Sequence, residues 1–176
     1  MNSLVVSAFS NLGDMTTEPR WLSEEEQVFW RCLLAAHRKL QRIVEDSLEA
    51  SSSLSSPEYA VLVSLSEAEG RSLRLRELGA YLNWDRSRTS HQITRMARRG
   101  LVTKEKSQSD GRGVLVCLTD TGFERLQRAV PDHVETVRRV VFDHLDPEDI
   151  PAIRRFVDSV LAFDEAVVDP KIPIGD

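Results

Sequence analysis

The sequence predicts a mainly helical protein with one small β-hairpin, an α+β fold. Most of the chain carries apolar residues three or four positions apart, which is the spacing of amphipathic helices. Near its middle, two short stretches alternate apolar and polar residues instead, on either side of a glycine-bearing turn, and this pattern indicates a hairpin. With 176 residues, 41% of them hydrophobic, the chain is long enough for one substantial core with extensions.

The N-terminal fifty residues are predicted to form an arm and one helix. Residues 1–20 lack any period, so we expect a flexible arm. Residues 21–50 form the helix, which a capping box between Ser23 and Glu26 begins. Its apolar residues cover more than one stripe, so we expect this helix to pack against a partner subunit, as an N-terminal dimerisation helix.

Residues 56–122 are predicted to form one compact module. The serine-rich stretch Ala50 to Ser56 is expected to be a loop, and Pro57 opens the helix that follows it. A shorter helix then carries Leu75, Leu78 and Leu82, and Asn83 lies in the tight turn after it.

The next helix combines one apolar face with one basic face. Asp85 is its predicted N-cap and Gly100 its predicted end. Thr89, Ile93 and Met96 share the buried face, whereas mostly basic and polar residues occupy the other. Helix, short turn and polar-faced helix together make the helix-turn-helix pattern.

A hairpin follows this pair of helices. Leu101–Ser107 and Val114–Leu118 are its predicted strands, and the turn between them holds Gly111 and Arg112. An arginine at such a tip suits the narrow minor groove of DNA, where negative potential is concentrated. The module is therefore predicted to be a winged helix-turn-helix.

Residues 123–168 are predicted to be C-terminal dimerisation helices, and residues 169–176 a tail. Thr119 and the residues after it cap the first of these helices, which Pro131 should kink or interrupt, and Asp146-Pro147 begins the last one. Together with the first helix they carry more apolar surface than one small module needs. A twofold dimer is the economical arrangement.

The charge is unevenly distributed along the chain. The net charge is −5, yet the segment from Arg71 to Gly113 holds 11 basic and 4 acidic residues, a net +7, and the remainder is −12. A basic module on an acidic body is typical of a localised phosphate-binding surface.

This stretch resembles the MarR family of bacterial transcriptional regulators. The resemblance is carried by Leu78-Gly79, Ser87 to Arg95, Arg99 to Val102, Asp110-x-Arg112 and Val116 to Gly122, and it covers about residues 22–165. It implies a homodimer with two winged modules that bind double-stranded DNA. We expect a repressor that binds a pseudo-palindromic operator, with its second helices in successive major grooves.

Provisional roles follow for the basic helix and the wing. Arg112 is predicted to enter the minor groove, with Asp110 orienting its guanidinium. Arg98 and Arg99 have an alternative role, in which they pair with acidic helices and hold the module to the body. Ser90 suits either kind of contact, and the DNA-contacting set also includes Thr89. The predicted base contacts are Arg88, His91, Gln92 and Arg95, and the predicted phosphate contacts are Arg86, Ser87, Thr94, Arg98 and Lys104.

The resemblance also implies a small-molecule effector, commonly a phenolic or carboxylate anion, bound between dimer helices and winged module. The residues predicted to line such a pocket are Trp30, His37, Arg38 and Tyr59. In the alternative interpretation, the helical spacing of Trp30 and Tyr59 makes them ordinary core residues.

Two cysteines are too few for a disulfide scaffold or a Cys-x-x-Cys zinc site. Apolar neighbours predict that Cys32 is buried and unreactive. Some relatives sense peroxide through a cysteine near the first helix, so a redox-sensing repressor that uses Cys32 is one alternative function. A winged helix that binds another protein is a second alternative.

Other classes of function find no support in the sequence. No glycine-rich phosphate loop, His-Glu-x-x-His motif or nucleophile elbow is present, and the four histidines do not cluster, so we expect neither catalysis nor a metal or cofactor. No apolar run is long enough to span a bilayer and the start does not resemble a signal peptide, which predicts a cytoplasmic protein without membrane contact.

Overall fold

The structure is a computed structural model that describes residues 20–106 and 113–163. It divides into two compact units, Met1–Lys39 and Leu40–Asp176. The helices are α1 (Glu24–Ser52), α2 (Ser56–Glu67), α3 (Leu75–Tyr81), α4 (Arg86–Arg98), α5 (Asp120–Val140) and α6 (Ile150–Leu161). The strands are β1 (Ser72–Arg74), β2 (Val102–Lys106) and β3 (Val114–Leu118), and short 3-10 turns lie at Glu69–Arg71 and Phe142–His144.

The first unit contains the start of α1, and the predicted capping box is confirmed. The Ser23 backbone N–H donates to the Glu26 carboxylate at 2.7 Å, and the Glu26 N–H donates to Ser23 Oγ at 3.2 Å. The first of these bonds holds the pKa of Glu26 below its ordinary value, because it stabilises the charged form.

Apolar side chains of this part of α1 are largely exposed. Trp30 is half exposed and Leu33 is also at the surface. The prediction that Cys32 is buried is wrong for this chain, because Cys32 lies exposed among these residues.

The α1 helix extends further than its sequence suggests. It continues to Ser52, whose hydroxyl donates to the Leu48 carbonyl at 2.7 Å. The predicted loop from Ala50 to Ser56 is therefore wrong for its first residues, since serines in a last helical turn can satisfy their hydroxyls on the preceding carbonyls. The chain turns at Ser53, which has a positive φ of 52°.

One hydrophobic core holds the second unit together. α2 is close to its centre and buries Val61, Leu62 and Leu65 completely, and it begins at a Ser55 capping box with proline in its first turn. Against it pack residues of α1, α3, α4, the sheet and α5. The buried apolar residues of this core are Leu48, Leu54, Val61, Leu62, Leu65, Leu78, Ile93, Met96, Leu101, Val102, Val116, Leu126 and Ala129.

The predicted hairpin is confirmed, but the sheet has a third strand. The order is β1-β3-β2, and both pairs are antiparallel. Val116 in the central strand is fully buried and pairs with Leu73 on one side and with Lys104 on the other. β1 has only three residues, Ser72 to Arg74, too few for a periodic signal, so only its pairing with β3 reveals it.

The C-terminal helices differ in how they pack. α5 begins at its predicted N-cap, Thr119, whose side chain accepts from the Gly122 N–H, and it continues through Pro131 without interruption as far as Val140. α6 begins after Asp149, slightly later than the predicted start at Asp146-Pro147, and every residue of α6 is exposed. Among the described helices, none has the length and apolar character needed to cross a membrane.

Candidate nucleic-acid interface

The turn between α3 and α4 fixes where α4 begins. Asn83 adopts a positive φ of 52°, and the Trp84 N–H donates to the Gly79 carbonyl at 2.8 Å. A Cβ on Gly79 would lie 2.9 Å from Thr89 Oγ1, so a glycine lets the two helices approach closely. Asp85 caps α4 as predicted, accepting from the Arg88 N–H at 2.8 Å.

The inner face of α4 locks the helix to the core. Ile93 and Met96 are fully buried, as predicted. Thr89 is only 1% exposed, and its hydroxyl donates to the Asp85 carbonyl at 2.8 Å. The prediction that Thr89 contacts DNA is therefore wrong, because both its surface and its hydroxyl are engaged inside the module.

The outer face of α4 forms a basic groove. It is open to solvent and has a volume of about 590 Å³, and none of the described residues that line it is acidic. Cationic and hydrogen-bonding groups together suit the phosphates and base edges of DNA. The residues that line this groove are Arg86, Ser87, Ser90, His91, Thr94, Arg95 and Arg98.

Lys104 joins this surface from the neighbouring strand β2. Its Nζ donates to Thr94 Oγ1 at 3.2 Å, and the Thr94 hydroxyl donates to the Ser90 carbonyl at 2.8 Å. Lys104 on β2 and Thr94 on α4, which the sequence predicts separately as phosphate contacts, therefore lie side by side in the structure.

Two predicted base-contacting residues have distinct environments. The Arg88 guanidinium lies over the Trp84 ring, with Cζ 4.6 Å from the ring centroid. Gln92 is half-buried, and its Nε2 is shielded from solvent and has no hydrogen-bond partner among the described residues. A buried donor without a partner is costly.

The C-terminal end of α4 is tied to α2. Gly100 ends the helix as predicted, with a positive φ of 72°. The Arg99 guanidinium donates to both carboxylate oxygens of Glu58 at 2.7 and 2.8 Å, and to the Ser53 carbonyl at 2.8 Å. Arg99 thus pairs with an acid of α2, a helix within the predicted module, so its alternative role of holding the module to the body stays a prediction, whereas Arg98 remains exposed in the groove.

The tip of the hairpin lies outside the described residues, and so do Asp110 and Arg112. Their predicted roles stay predictions. The two strands that carry the tip are well anchored, since Val102 pairs with Leu118 and Lys106 with Val114 along the full length of the pair.

The residues predicted for an effector pocket lie in both units. Trp30, His37 and Arg38 are exposed on α1 in the first unit. In the second unit Tyr59 is half-buried, and its ring centroid lies 4.5 Å from that of His133 on α5. Burial raises the pKa of Tyr59 and lowers the pKa of His133.

Three residues of this architecture escaped the sequence analysis. No role is predicted for Trp84, although an aromatic four residues before an arginine is a signal for stacking. No role is predicted for Glu58 either, because its partner is 41 residues away. His133 contacts Tyr59 across a still longer stretch of chain, for which the sequence holds no local signal.

The arrangement of α3, a tight turn, α4 and the antiparallel hairpin defines a winged helix-turn-helix protein. A model of the MarR family matches residues 54–114, from just before α2 to the first residue of β3. The chain belongs to the MarR family of transcriptional regulators, a family of DNA-binding proteins and not of enzymes.

Three relatives agree with this assignment. AbsC of Streptomyces coelicolor is 38% identical, with a TM-score of 0.78, over 81% of this chain and 96% of its own. Sco3205 of the same organism, solved in complex with DNA, is 39% identical with a TM-score of 0.79, over 82% and 90% of the two chains. The organic hydroperoxide resistance regulator of Bacillus subtilis is 34% identical over 74 residues, about half of its length at 49%.

Proposed function

We propose that the chain is a transcriptional repressor that binds a pseudo-palindromic operator in double-stranded DNA as a homodimer. The observation that carries the proposal is the basic groove on α4: three arginines lie among hydrogen-bonding groups, above a helix face fixed by Ile93 and Met96. Sco3205, which is 39% identical to this chain and was solved in complex with DNA, supports DNA as the partner.

Charge distribution supports DNA as the partner over a second protein. The +7 of the segment from Arg71 to Gly113 contrasts with the acidic remainder of the chain. Phosphate contacts release counterions, so an interface of this kind weakens steeply as salt rises. A winged helix that binds protein would show a shallow dependence.

The homodimer rests on apolar surface that the described chain leaves exposed. On α6, Ile153, Val157 and Val160 are 43–56% exposed, and on α1 Trp30 is 50% exposed. A monomer rarely exposes so much apolar surface along single helices. A twofold dimer covers such faces and places two α4 helices about one turn of DNA apart.

The experiment is fluorescence-anisotropy binding to genomic fragments, including the DNA upstream of the chain's own gene, at several salt concentrations. We expect saturable binding to one fragment, weakened about tenfold by Arg95→Ala. Arg128→Ala is the matched control, because it removes the same charge from an exposed site on α5, where Arg128 lies 3.6 Å from Glu124. Equal loss in both variants, or binding without sequence preference, would contradict the proposal.

An effector that releases the operator completes the proposed function. The exposed Trp30, His37 and Arg38 offer aromatic and cationic groups suited to a small aromatic carboxylate. A ligand that prefers the conformation unable to bind DNA would lower operator affinity by shifting the population. Salicylate added to the operator complex is the first compound to test, with Arg38→Gln as the variant expected to weaken its effect.

A redox-sensing repressor is the second candidate, favoured by the exposure of Cys32. The similarity to a regulator of organic hydroperoxide resistance points in the same direction. Accessible thiols are open to oxidation, and a peroxide would convert Cys32 to a sulfenic acid. If Cys32→Ser leaves peroxide-induced release of the operator intact, this candidate is removed.

A further inference from the structure

Trp84 and Arg88 form a stacked pair at the start of α4. Arg88 lies four residues after Trp84, in the first turn of the helix, and its Cζ is 4.6 Å from the indole centroid. This distance lies within the range of favourable cation–π contacts, for which tryptophan is the strongest aromatic partner.

The indole is itself held in place. The Trp84 backbone N–H donates to Gly79, and the side chain packs against the hydrophobic core of the second unit. Asn83 before it has the positive φ of a tight turn, and Asp85 after it caps α4. The surface on which Arg88 stacks is therefore a fixed part of the module.

Stacking on Trp84 leaves the N–H donors of the Arg88 guanidinium available for hydrogen bonds. A guanidinium that lies on a ring uses its face, whereas its N–H donors point outward along its edge. A bidentate pair with guanine O6 and N7 needs that edge. The neighbouring Asp85 carboxylate is already engaged by the Arg88 backbone N–H at 2.8 Å.

We propose that Trp84 is a positioning residue that sets base specificity, by holding Arg88 ready for a guanine in each half of the operator. The proposal rests on the proposed function, since it assumes that α4 enters the major groove. A preorganised arginine loses less conformational entropy on pairing and tolerates less tilt toward a wrong base. Trp84 thus sharpens the choice at one base pair without touching DNA itself.

The test is a map of base preference. Once an operator fragment is known, each base pair of one half-site is replaced by the other three, and dissociation constants are measured by anisotropy. We expect the native chain to prefer one G·C pair by about 5–150-fold. Arg88→Ala should flatten that position alone.

Variants of Trp84 then measure how much the stacking contributes to discrimination at this base pair. Trp84→Leu should lower discrimination at the same base pair by about 2–5-fold, with Tyr and Phe in between. The salt slope should not change, because Trp84 carries no charge. In the Arg88→Ala background, Trp84→Leu should have no further effect on preference.

Melting curves identify the variants that fold like the native chain. If Trp84→Leu does not fold in this way, Trp84→Tyr and Trp84→Phe decide the test. The proposal is overturned if Trp84 variants weaken all base pairs equally, keep full discrimination, or still alter preference without Arg88. It also fails if the native chain recognises its operator but the Arg88→Ala map is unchanged, and in that case the proposed function stands. If the native chain binds no fragment specifically, the proposed function fails first.

Discussion

Arg99 closes a hydrogen-bonded pair with Glu58, from its Nη1 to both carboxylate oxygens at 2.7 and 2.8 Å. The Glu58 side chain is 3% exposed and that of Arg99 is 41% exposed. The same carboxylate accepts the N–H and hydroxyl of Ser55 at 3.0 and 3.1 Å. One buried acid therefore joins the start of α2 to the end of α4, the helix that carries the basic groove.

Loss of this acid should destabilise the module. Glu58→Ala leaves three donors without their acceptor, and we expect the free energy of unfolding to fall by about 2–3 kcal/mol, less than for a fully buried pair because Arg99 is partly solvated. Urea unfolding measures the change. Glu124→Ala is the control, since it breaks the exposed Arg128 pair at 3.6 Å and should cost less than about 1 kcal/mol. Equal losses would show that the burial of Glu58 is unimportant.

Two glycines should respond to alanine for different reasons. A Cβ on Gly122 would overlap the Leu101 carbonyl oxygen, which is backbone and has no room to move. A Cβ on Gly100 meets nothing within 4 Å, but its φ of 72° disfavours alanine. We expect Gly122→Ala to cost about 3 kcal/mol or more and Gly100→Ala about 1 kcal/mol. Thermal or urea unfolding that ranks them in the opposite order would contradict this account.

How far the sequence predicts this structure depends on how local each signal is. The α4 helix was predicted at both ends because Asp85 and Gly100 act within a single turn of chain. β1 and the Arg99–Glu58 pair were not, because each depends on partners distant in the sequence. The burial of Cys32 was predicted wrongly for a related reason: apolar neighbours indicate a helix face, but not whether this chain covers it.

The same distinction holds for the candidate site. Periodicity separated the exposed face of α4 from its buried face, and placed Thr89 correctly on the inner one. A residue on this inner face is covered by the core, so the predicted DNA contact of Thr89 conflicts with the periodicity of the helix. Stacking of Arg88 on Trp84 and the approach of Lys104 to Thr94 depend on rotamers and on strand pairing, which composition and spacing do not encode.

His133 should make stability depend on pH. Burial against Tyr59 lowers the pKa of His133 below its ordinary value of 6.5, and its Nδ1 finds no hydrogen-bond partner in the described part of the chain. As pH falls through 6.5, His133 takes up a proton in the unfolded chain before it does so in the folded chain. The stability of the fold therefore decreases between pH 6.5 and the lower pKa of His133 in the folded chain, and it is unaffected above pH 6.5.

The measurement is the melting temperature from about pH 8 to about pH 5. His133→Phe keeps a ring against Tyr59 but cannot bind the proton, so its melting temperature should fall less toward about pH 5 than that of the native chain. Tyr59→Phe keeps the burial and should retain the native profile. Identical profiles for the native chain and His133→Phe would exclude this histidine as the cause.

Lys104 should contribute charge to the DNA interface, with Thr94 as its support. Lys104 Nζ donates to Thr94 Oγ1 at 3.2 Å, which holds the ammonium beside the basic groove of α4. If Lys104 neutralises one phosphate, Lys104→Ala should weaken operator binding and reduce the slope of log affinity against log salt by about one unit per site.

Thr94→Val separates the charge from its support. It removes the oxygen that accepts from Lys104 but keeps the branched shape of the side chain and the ammonium itself. We expect a smaller loss of affinity, about threefold or less, with the native salt slope, because a hydrogen bond of this kind contributes about 1 kcal/mol or less. A salt slope that falls in Thr94→Val, or stays native in Lys104→Ala, would mean that Lys104 supports the hairpin and does not meet the phosphate backbone.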